Sequence, residues 1–306
     1  VTVVGYFNGA YVDPTEGVVP IDERGHQFGD GIYEVIRVYD GRPFLLEWHL
    51  DRLFASLRAI RIDSPLDRDG YTRLIDDLIE RSGEREALVY LQITRGSAIR
   101  NHYFPQPPAP SNVSATIRPA AASGSTQPGK LLMMRDERWA NAYIKTINLL
   151  PNIIAKQTAH DAGADEALLV RDGKMIESAS SNLFFVKDGH FITAPTDRFI
   201  LPGITRRLVL ELASSLGIPV EERKVPVAEL SSMDGIFITG TGSEVFPIDT
   251  VLSHPSLDVE GDMPEVSPHP IVLQPNSCSV IWRAASLELV ERLREAYREK
   301  VRGPRS

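Results

Sequence analysis

The stretch Tyr143-Ile144-Lys145-Thr146-Ile147-Asn148-Leu149-Leu150 sets an amine inside an alternating, β-branched-rich run. That pattern reads as a strand. A strand packed in a core has no room for an unpaired charge, so a lysine there must find a partner or give up its proton. A neutral lysine amine is a nucleophile toward carbonyl groups. Exposed strand faces carry lysines routinely, so the stretch alone leaves both readings open.

The patterning around it alternates strands and helices. Residues 3–12 alternate about Asn8-Gly9, a hairpin signal. Phe28-Gly29-Asp30-Gly31 breaks the chain, a strand runs from Tyr33 to Tyr39, and Asp40-Gly41 turns it back into Pro43-Phe44-Leu45-Leu46. Apolar spacing predicts helices over Glu47–Ile60 and Asp69–Arg81, then strands over Ala87–Thr94 and Ser114–Ile117. Ala120-Ala121-Ala122-Ser123-Gly124-Ser125 is small and flexible, which makes it the candidate linker. A small α/β domain is therefore expected at 1–119, a linker at 120–125 and a larger domain at 126–306. The second domain should hold strands at Leu131–Met134, Glu166–Arg171, Leu183–Lys187, Phe191–Thr193 and Ile236–Thr239. Helices are expected at Ile153–Ala162, Thr205–Leu216 and Trp282–Lys300. The segment 254–278 has five prolines and no periodicity, and reads as an extended insert.

Composition narrows the function. The 306 residues suffice for two cores, and 42% hydrophobic with 24% charged residues fits a soluble globular protein. A net charge of −8 argues against a nucleic-acid partner. One cysteine, Cys278, and seven scattered histidines offer no metal-ligand spacing, so no metal is expected. Neither a secretory leader nor a bilayer-length apolar run is seen, so no membrane partner is expected and the cytoplasm is the expected compartment.

Several constellations can carry chemistry. Leu201-Pro202-Gly203-Ile204-Thr205-Arg206 opens a helix, whose free N–H groups suit a phosphate; an ordinary capped helix reads the same way. Gly240-Thr241-Gly242-Ser243 follows a strand and is either a second donor set or a plain turn. Arg52, on the first long helix, could add positive charge or be solvated. Glu177, at a strand end before Ser178-Ala179-Ser180-Ser181-Asn182, could hold a protonated ring nitrogen or sit in an exposed turn. Arg100 and His102 lie two apart on an extended segment and could flank one carboxylate, or decorate a basic loop. With Lys145 these are the parts that an enzyme using pyridoxal 5'-phosphate (PLP) needs.

Their order resembles the fold-type IV PLP-dependent aminotransferases, a two-domain α/β (α+β) architecture, and within them the D-amino-acid branch. The resemblance is carried by residues 22–35 (Asp22-Glu23-Arg24-Gly25-His26-Gln27-Phe28 through Val35) and by His49-Leu50-Asp51-Arg52-Leu53. Further matching stretches are Thr94-Arg95-Gly96 with Arg100-Asn101-His102, Ile144 to Leu150, Glu177 to Asn182, Leu201 to Arg206, and Gly240 to Glu244. It implies that Lys145 holds PLP and moves the substrate proton, and that Glu177 pairs with the pyridine nitrogen. It further implies phosphate contacts from Arg52, Ile204, Thr205 and Thr241. Tyr33, Arg100 and His102 would hold the substrate α-carboxylate, the last two across a homodimer with a shared active site and PLP in the interdomain cleft. The implied reaction is ping-pong transamination between a D-amino acid and a 2-oxo acid. A branched-chain L-amino-acid aminotransferase, an R-selective amine transaminase, an aminodeoxychorismate lyase and an idle PLP-binding protein are the alternatives. Two departures from the family pattern stand out: the 254–278 insert, and Gly242 with Phe246 near the expected substrate pocket.

Overall fold

The computed structural model describes residues 3–121, 127–257, 259, 273–274 and 277–303. Residues 122–125 of the expected linker and most of the expected insert at 254–278 lie outside the described residues. The chain divides into two compact units: Val1–Ala122 with Ile144–Leu149, and Ser123–Tyr143 with Leu150–Ser306.

The first unit is a sheet with helices on one face. Its elements are β1 (Val4–Phe7), β2 (Ala10–Val12), α1 (Arg24–Phe28), β3 (Gly31–Tyr39), β4 (Arg42–Pro43), α2 (Leu46–Ala59), α3 (Arg68–Ser82), β5 (Ala87–Thr94) and β6 (Asn112–Pro119). The strands run in the order β2-β1-β6-β5-β3-β4, and each pairing is antiparallel. Asn8-Gly9 and Asp40-Gly41 all take positive φ, so both hairpins close through two-residue turns whose twist matches the strands. Alternation then decides the faces. Ile32, Ile36 and Val38 of β3, Val89, Leu91 and Ile93 of β5, and Val113, Ala115 and Ile117 of β6 are buried with Leu50, Leu53 and Leu57 of α2 and Tyr71, Ile75 and Leu78 of α3. Asp67 caps α3 by accepting from the Gly70 N–H at 2.7 Å.

Lys145 lies outside any regular strand, contrary to the sequence reading. Its segment touches β3 through one bridge, Ile32 to Thr146, with Tyr33 N donating to Lys145 O at 3.0 Å and Ile147 N to Gly31 O at 3.2 Å. Local turns stop the ladder: Thr146 N bonds back to Ile144 O, and Leu149 N to Ile147 O. The Asn148 amide donates to Gly29 O at 2.8 Å, and a Cβ on Gly29 would collide with that side chain. These contacts attach 144–149 to the first unit, whereas the sequence reading had assigned it to the domain at 126–306.

The second unit contains β7 (Gly129–Arg135), α4 (Leu150–Asp161), β8 (Glu166–Arg171), β9 (Lys174–Ser178), β10 (Asn182–Lys187), β11 (His190–Thr193), α5 (Ile204–Ser215), β12 (Val220–Glu222), β13 (Val225–Pro226), β14 (Gly235–Gly240), β15 (Glu244–Ser253), β16 (Ser279–Arg283) and α6 (Glu288–Arg302). The path β10-β14-β15-β7-β8-β9 returns to β10 where Asn182 pairs with Glu177, so the sheet closes on itself. One cluster, including Leu131, Met133, Leu168, Val170, Phe185, Ile236, Ile248 and Trp282, fills one face. A second, including Leu132, Met134, Ala167, Leu169 and Ile176, packs against Ala155 and Ala159 of α4. The expected helix from Trp282 begins at Glu288 instead. Trp282 pairs with Val251 across β15 and β16, and its indole donates to Met233 O at 3.0 Å, so burying this large ring overrides helix formation there. Among the described residues no helix is long and apolar enough to cross a membrane.

Phe246 of β15 packs its ring on Gly129, where a Cβ would collide with it. Gly129→Ala should therefore cost about 1–3 kcal/mol in urea denaturation. Adding Phe246→Leu should recover part of that loss; purely additive losses would show that the two sites do not touch.

Candidate active site

Glu34 sits on the inward face of β3 between Ile32 and Ile36, and is fully buried. Such a charge needs partners, and α2 supplies two. Arg52 donates from Nε to Oε1 at 2.7 Å and from Nη2 to Oε2 at 2.8 Å, a bidentate pair. His49, one turn earlier, lies 2.8 Å from Oε2 through Nδ1. Burial alone would raise the Glu34 carboxyl, but the Arg52 charge and these hydrogen bonds outweigh it and hold it down to about 2. An ionised carboxylate only accepts, so Nδ1 of His49 carries the proton in this bond. Burial lowers the His49 ring against the opposing pull of Glu34, with Arg52 and Lys145 adding to the fall. The guanidinium of Arg52 is thus locked in place by a buried carboxylate.

Lys145 is half-buried, not enclosed in a core. Its Nζ lies 4.1 Å from the centroid of the Tyr33 ring, and its backbone N–H donates to Ser56 Oγ at 3.3 Å. Among the described residues no carboxylate pairs with this amine. Tyr33 in turn stacks on Tyr90 at 5.6 Å. The first unit therefore brings Lys145 and Tyr33 together. Arg100 and His102 are exposed, on the loop after β5, and both lie against the ring of Phe28.

In the second unit, the closing pair of the sheet builds a polar cluster. Glu177 is buried at the end of β9. It accepts from Asn182 Nδ2 at 3.0 Å, from Leu201 N at 3.4 Å, and from Arg138 Nη1. The Asn182 amide also donates to Leu201 O at 2.9 Å, and a Cβ on Gly203 would collide with Asn182 Oδ1. The carboxylate and the start of α5 are thereby held against the same asparagine. Gly203 is the N-cap of α5 and no side chain caps this end, so the amides of Ile204 and Thr205 face outward from an uncapped helix start. The turn carrying Thr241 lies beside Ser180 and Ser181, which are the nearest atoms outside that turn to a Cβ on Gly240. Glu177, Ile204, Thr205 and Thr241 thus belong to one neighbourhood. The hydroxyls of Ser178 and Thr239 there are buried without a hydrogen-bond partner.

Burial pushes Glu177 up to about 7, against the opposing charge of Arg138 and with a further push from Asp136. Burial would lower Arg138, but Glu177 and Asp136 together hold it more firmly protonated. Asp136 is bound by Arg138 Nε at 2.8 Å and by Arg171 Nε at 3.0 Å. Sequence reasoning missed Arg138, Asp136, Glu34 and His49. Glu34 had a signal, because it is a charge on the inward face of an alternating strand. The ring of Phe246 packs with the second unit's core cluster on Gly129, while a Cβ at Gly242 would meet open space.

The chain belongs to the amino-transferase class IV family, whose profile matches residues 31–251. It is 38% identical over 246 residues to the D-alanine aminotransferase of Bacillus licheniformis, covering 80% of this chain and 87% of that protein. To the D-alanine aminotransferase of Listeria innocua it is 37% identical over 245 residues, covering 79% and 85%. Among solved structures, a T.th. branched-chain amino acid aminotransferase with pyridoxamine 5'-phosphate matches with a TM-score of 0.81 at 26% identity, over 99% of this chain and 95% of that one. A branched-chain aminotransferase from Thermoproteus uzoniensis matches at 0.80 with 23% identity over 97% and 94%, which shows the fold alone.

The Glu34 anchor has a pH signature. Its carboxyl is depressed, so its stabilisation is present above pH 4.5 and is lost as pH falls through about 2. At about 1.4 kcal/mol per pH unit this is on the order of 3 kcal/mol. Glu34→Gln should be less stable than the parent by about that amount at pH 7, with the gap narrowing as pH drops from 4.5. A gap independent of pH would assign the loss to packing.

Proposed function

We propose that this protein is a PLP-dependent aminotransferase acting between a D-amino acid and a 2-oxo acid. The observation that carries this reading is the convergence, in the second unit, of buried Glu177 with the uncapped start of α5. The donor set fits PLP. Outward amides at Ile204 and Thr205 suit a dianionic phosphate, the glycine at 203 lets Asn182 pack against the helix start, and a buried carboxylate suits a protonated pyridine nitrogen. PLP, when bound, supplies an aldehyde that takes amines and a ring that draws electrons from the carbon beside the nitrogen.

The chain's own groups divide the remaining work. Lys145 Nζ would hold the aldehyde carbon when no substrate is present, and would then carry the proton from the substrate Cα to that cofactor carbon. Glu177, oriented by Arg138 and Asn182, would keep a proton on the pyridine nitrogen. Ile204, Thr205 and Thr241 would hold the phosphate, and Arg52, fixed by Glu34, would supply positive charge to it. Tyr33, Arg100 and His102 hold the substrate carboxylate, the last two reaching a second copy of the chain in a homodimer. Exposed Ile99 and Tyr103 flank that pair, which supports a surface covered by a partner. The D-alanine aminotransferase relatives at 37–38% identity support the D-amino-acid choice. The second reading, a branched-chain aminotransferase, draws on the solved structure at 26% identity.

Borohydride reduction of the holoenzyme should fix the cofactor on the peptide containing Lys145. D-alanine should convert bound PLP to pyridoxamine phosphate faster than L-leucine does, measured by absorbance in single turnover. Label on another lysine overturns the role of Lys145, and a faster reaction with L-leucine favours the branched-chain reading.

Glu177→Gln keeps the shape of the side chain but removes its charge. Turnover should fall at least ~10²-fold, the scale for losing one preorganised electrostatic partner. PLP should remain bound through the phosphate donors. Near-normal turnover in this variant would remove Glu177 from the ring nitrogen.

A further inference from the structure

The short helix α1 carries two residues with no assigned role that grip the loop bearing Arg100 and His102. The guanidinium of Arg100 lies 4.9 Å from the centroid of the Phe28 ring, and the His102 ring lies 5.6 Å from it, tilted by 52°. Arg24, from the first turn of the same helix, lies over that ring at 4.8 Å. It also donates from Nη1 to the carbonyl of Asn101 at 2.7 Å, the residue between Arg100 and His102. Arg24 is itself buried and anchored by Asp30 at 2.9 Å, which in turn binds Arg95 through two hydrogen bonds of 2.8 and 3.0 Å. Glu23 caps α1 at the His26 N–H, and Gly29 ends it, so the ring is presented from a fixed support.

The choice of an aromatic ring has a chemical consequence. A carboxylate could also hold Arg100, but it would neutralise the guanidinium and occupy its N–H edge. A ring face attracts the cation through its quadrupole and leaves that edge available. Among the described residues no carboxylate pairs with Arg100 or His102. The loop is thus oriented while its positive charge stays uncompensated.

We infer that Phe28, supported by Arg24, is a positioning residue that sets Arg100 and His102 for a substrate carboxylate. This rests on the carboxylate role proposed above for that pair. Phe28 acts within its own chain, whichever active site the loop serves.

The test compares Phe28→Leu, Phe28→Tyr, Arg100→Ala and the Phe28→Leu/Arg100→Ala double variant as holoenzymes. D-alanine and R-1-phenylethylamine, an amine without a carboxylate, serve as substrates. Binding of D-lactate, which has the carboxylate but no amine, is measured by calorimetry. Phe28→Leu should raise the KM for D-alanine and the Kd for D-lactate by about five- to tenfold, the scale of one cation–π contact. It should leave the phenylethylamine reaction within about twofold of the parent, on the usual scale of a side chain that makes no contact with the amine. Phe28→Tyr should match the parent, and Phe28→Leu should add little to Arg100→Ala. Equal losses on amine and amino acid, or additive effects with Arg100→Ala, overturn the role of Phe28. If Arg100→Ala itself fails to discriminate amino acid from amine, the carboxylate role of the pair falls instead.

Discussion

A charge removed from water must be met inside the fold, and that constraint organises both units of this protein. In the first, Glu34 on the inward face of β3 forces α2 to present His49 and Arg52 on the same turn. In the second, Glu177 lies where the sheet closes, and its partners come from β10, from the segment before α5 and from the loop after β7. Each buried carboxylate fixes a group with chemical potential: a guanidinium in one case, a helix start in the other. The hydrophobic clusters supply most of the favourable free energy of folding. The buried ions determine which polar atoms end up near one another.

The two carboxylates occupy contrasting environments. Glu34 has a bidentate arginine and stays ionised, so it behaves as a fixed strut. Glu177 has one arginine, shared with Asp136, and burial brings it close to neutrality. Both are buried, and the difference follows from the charges around them: Arg52 grips both oxygens of Glu34, whereas Glu177 shares Arg138 with Asp136, whose own charge adds to the upward push. Residue type plays no part in it.

Much of the fold was legible in the chain. Alternation located β3, β5 and β6, helical stripes located α2 and α3, and Asx-Gly pairs located two hairpins, because each of these signals is local. Glu177 and the α5 start were readable as candidates, since both combine a strand or helix end with a distinctive turn. The partner of Glu177 was not readable: Arg138 lies 39 residues away, and their meeting depends on strand register in the closed sheet. Trp282 was misassigned because a five-residue strand carries too little periodicity to oppose the helix that follows. Lys145 was placed in a strand for its alternation, but a single bridge and two local turns leave it on an irregular edge. The packing of Phe246 on a glycine 117 positions earlier is likewise a tertiary event with no local trace.

The chain leaves the first unit at residue 122, begins the second, and returns for Ile144–Leu149 before leaving again. During synthesis the first sheet therefore emerges with one stretch of β3 bare, its pairing groups waiting for a segment still to be made. That segment is the one with Lys145. Lys145 can take its seat against Tyr33 only after β7 has been made, and it precedes in the chain every residue that surrounds Glu177 from the C-terminal side. Neither unit is a continuous stretch of polypeptide, so no single cut releases either one whole. An order is written into the thread: the segment that completes the first unit precedes the strands that surround Glu177 from the C-terminal side.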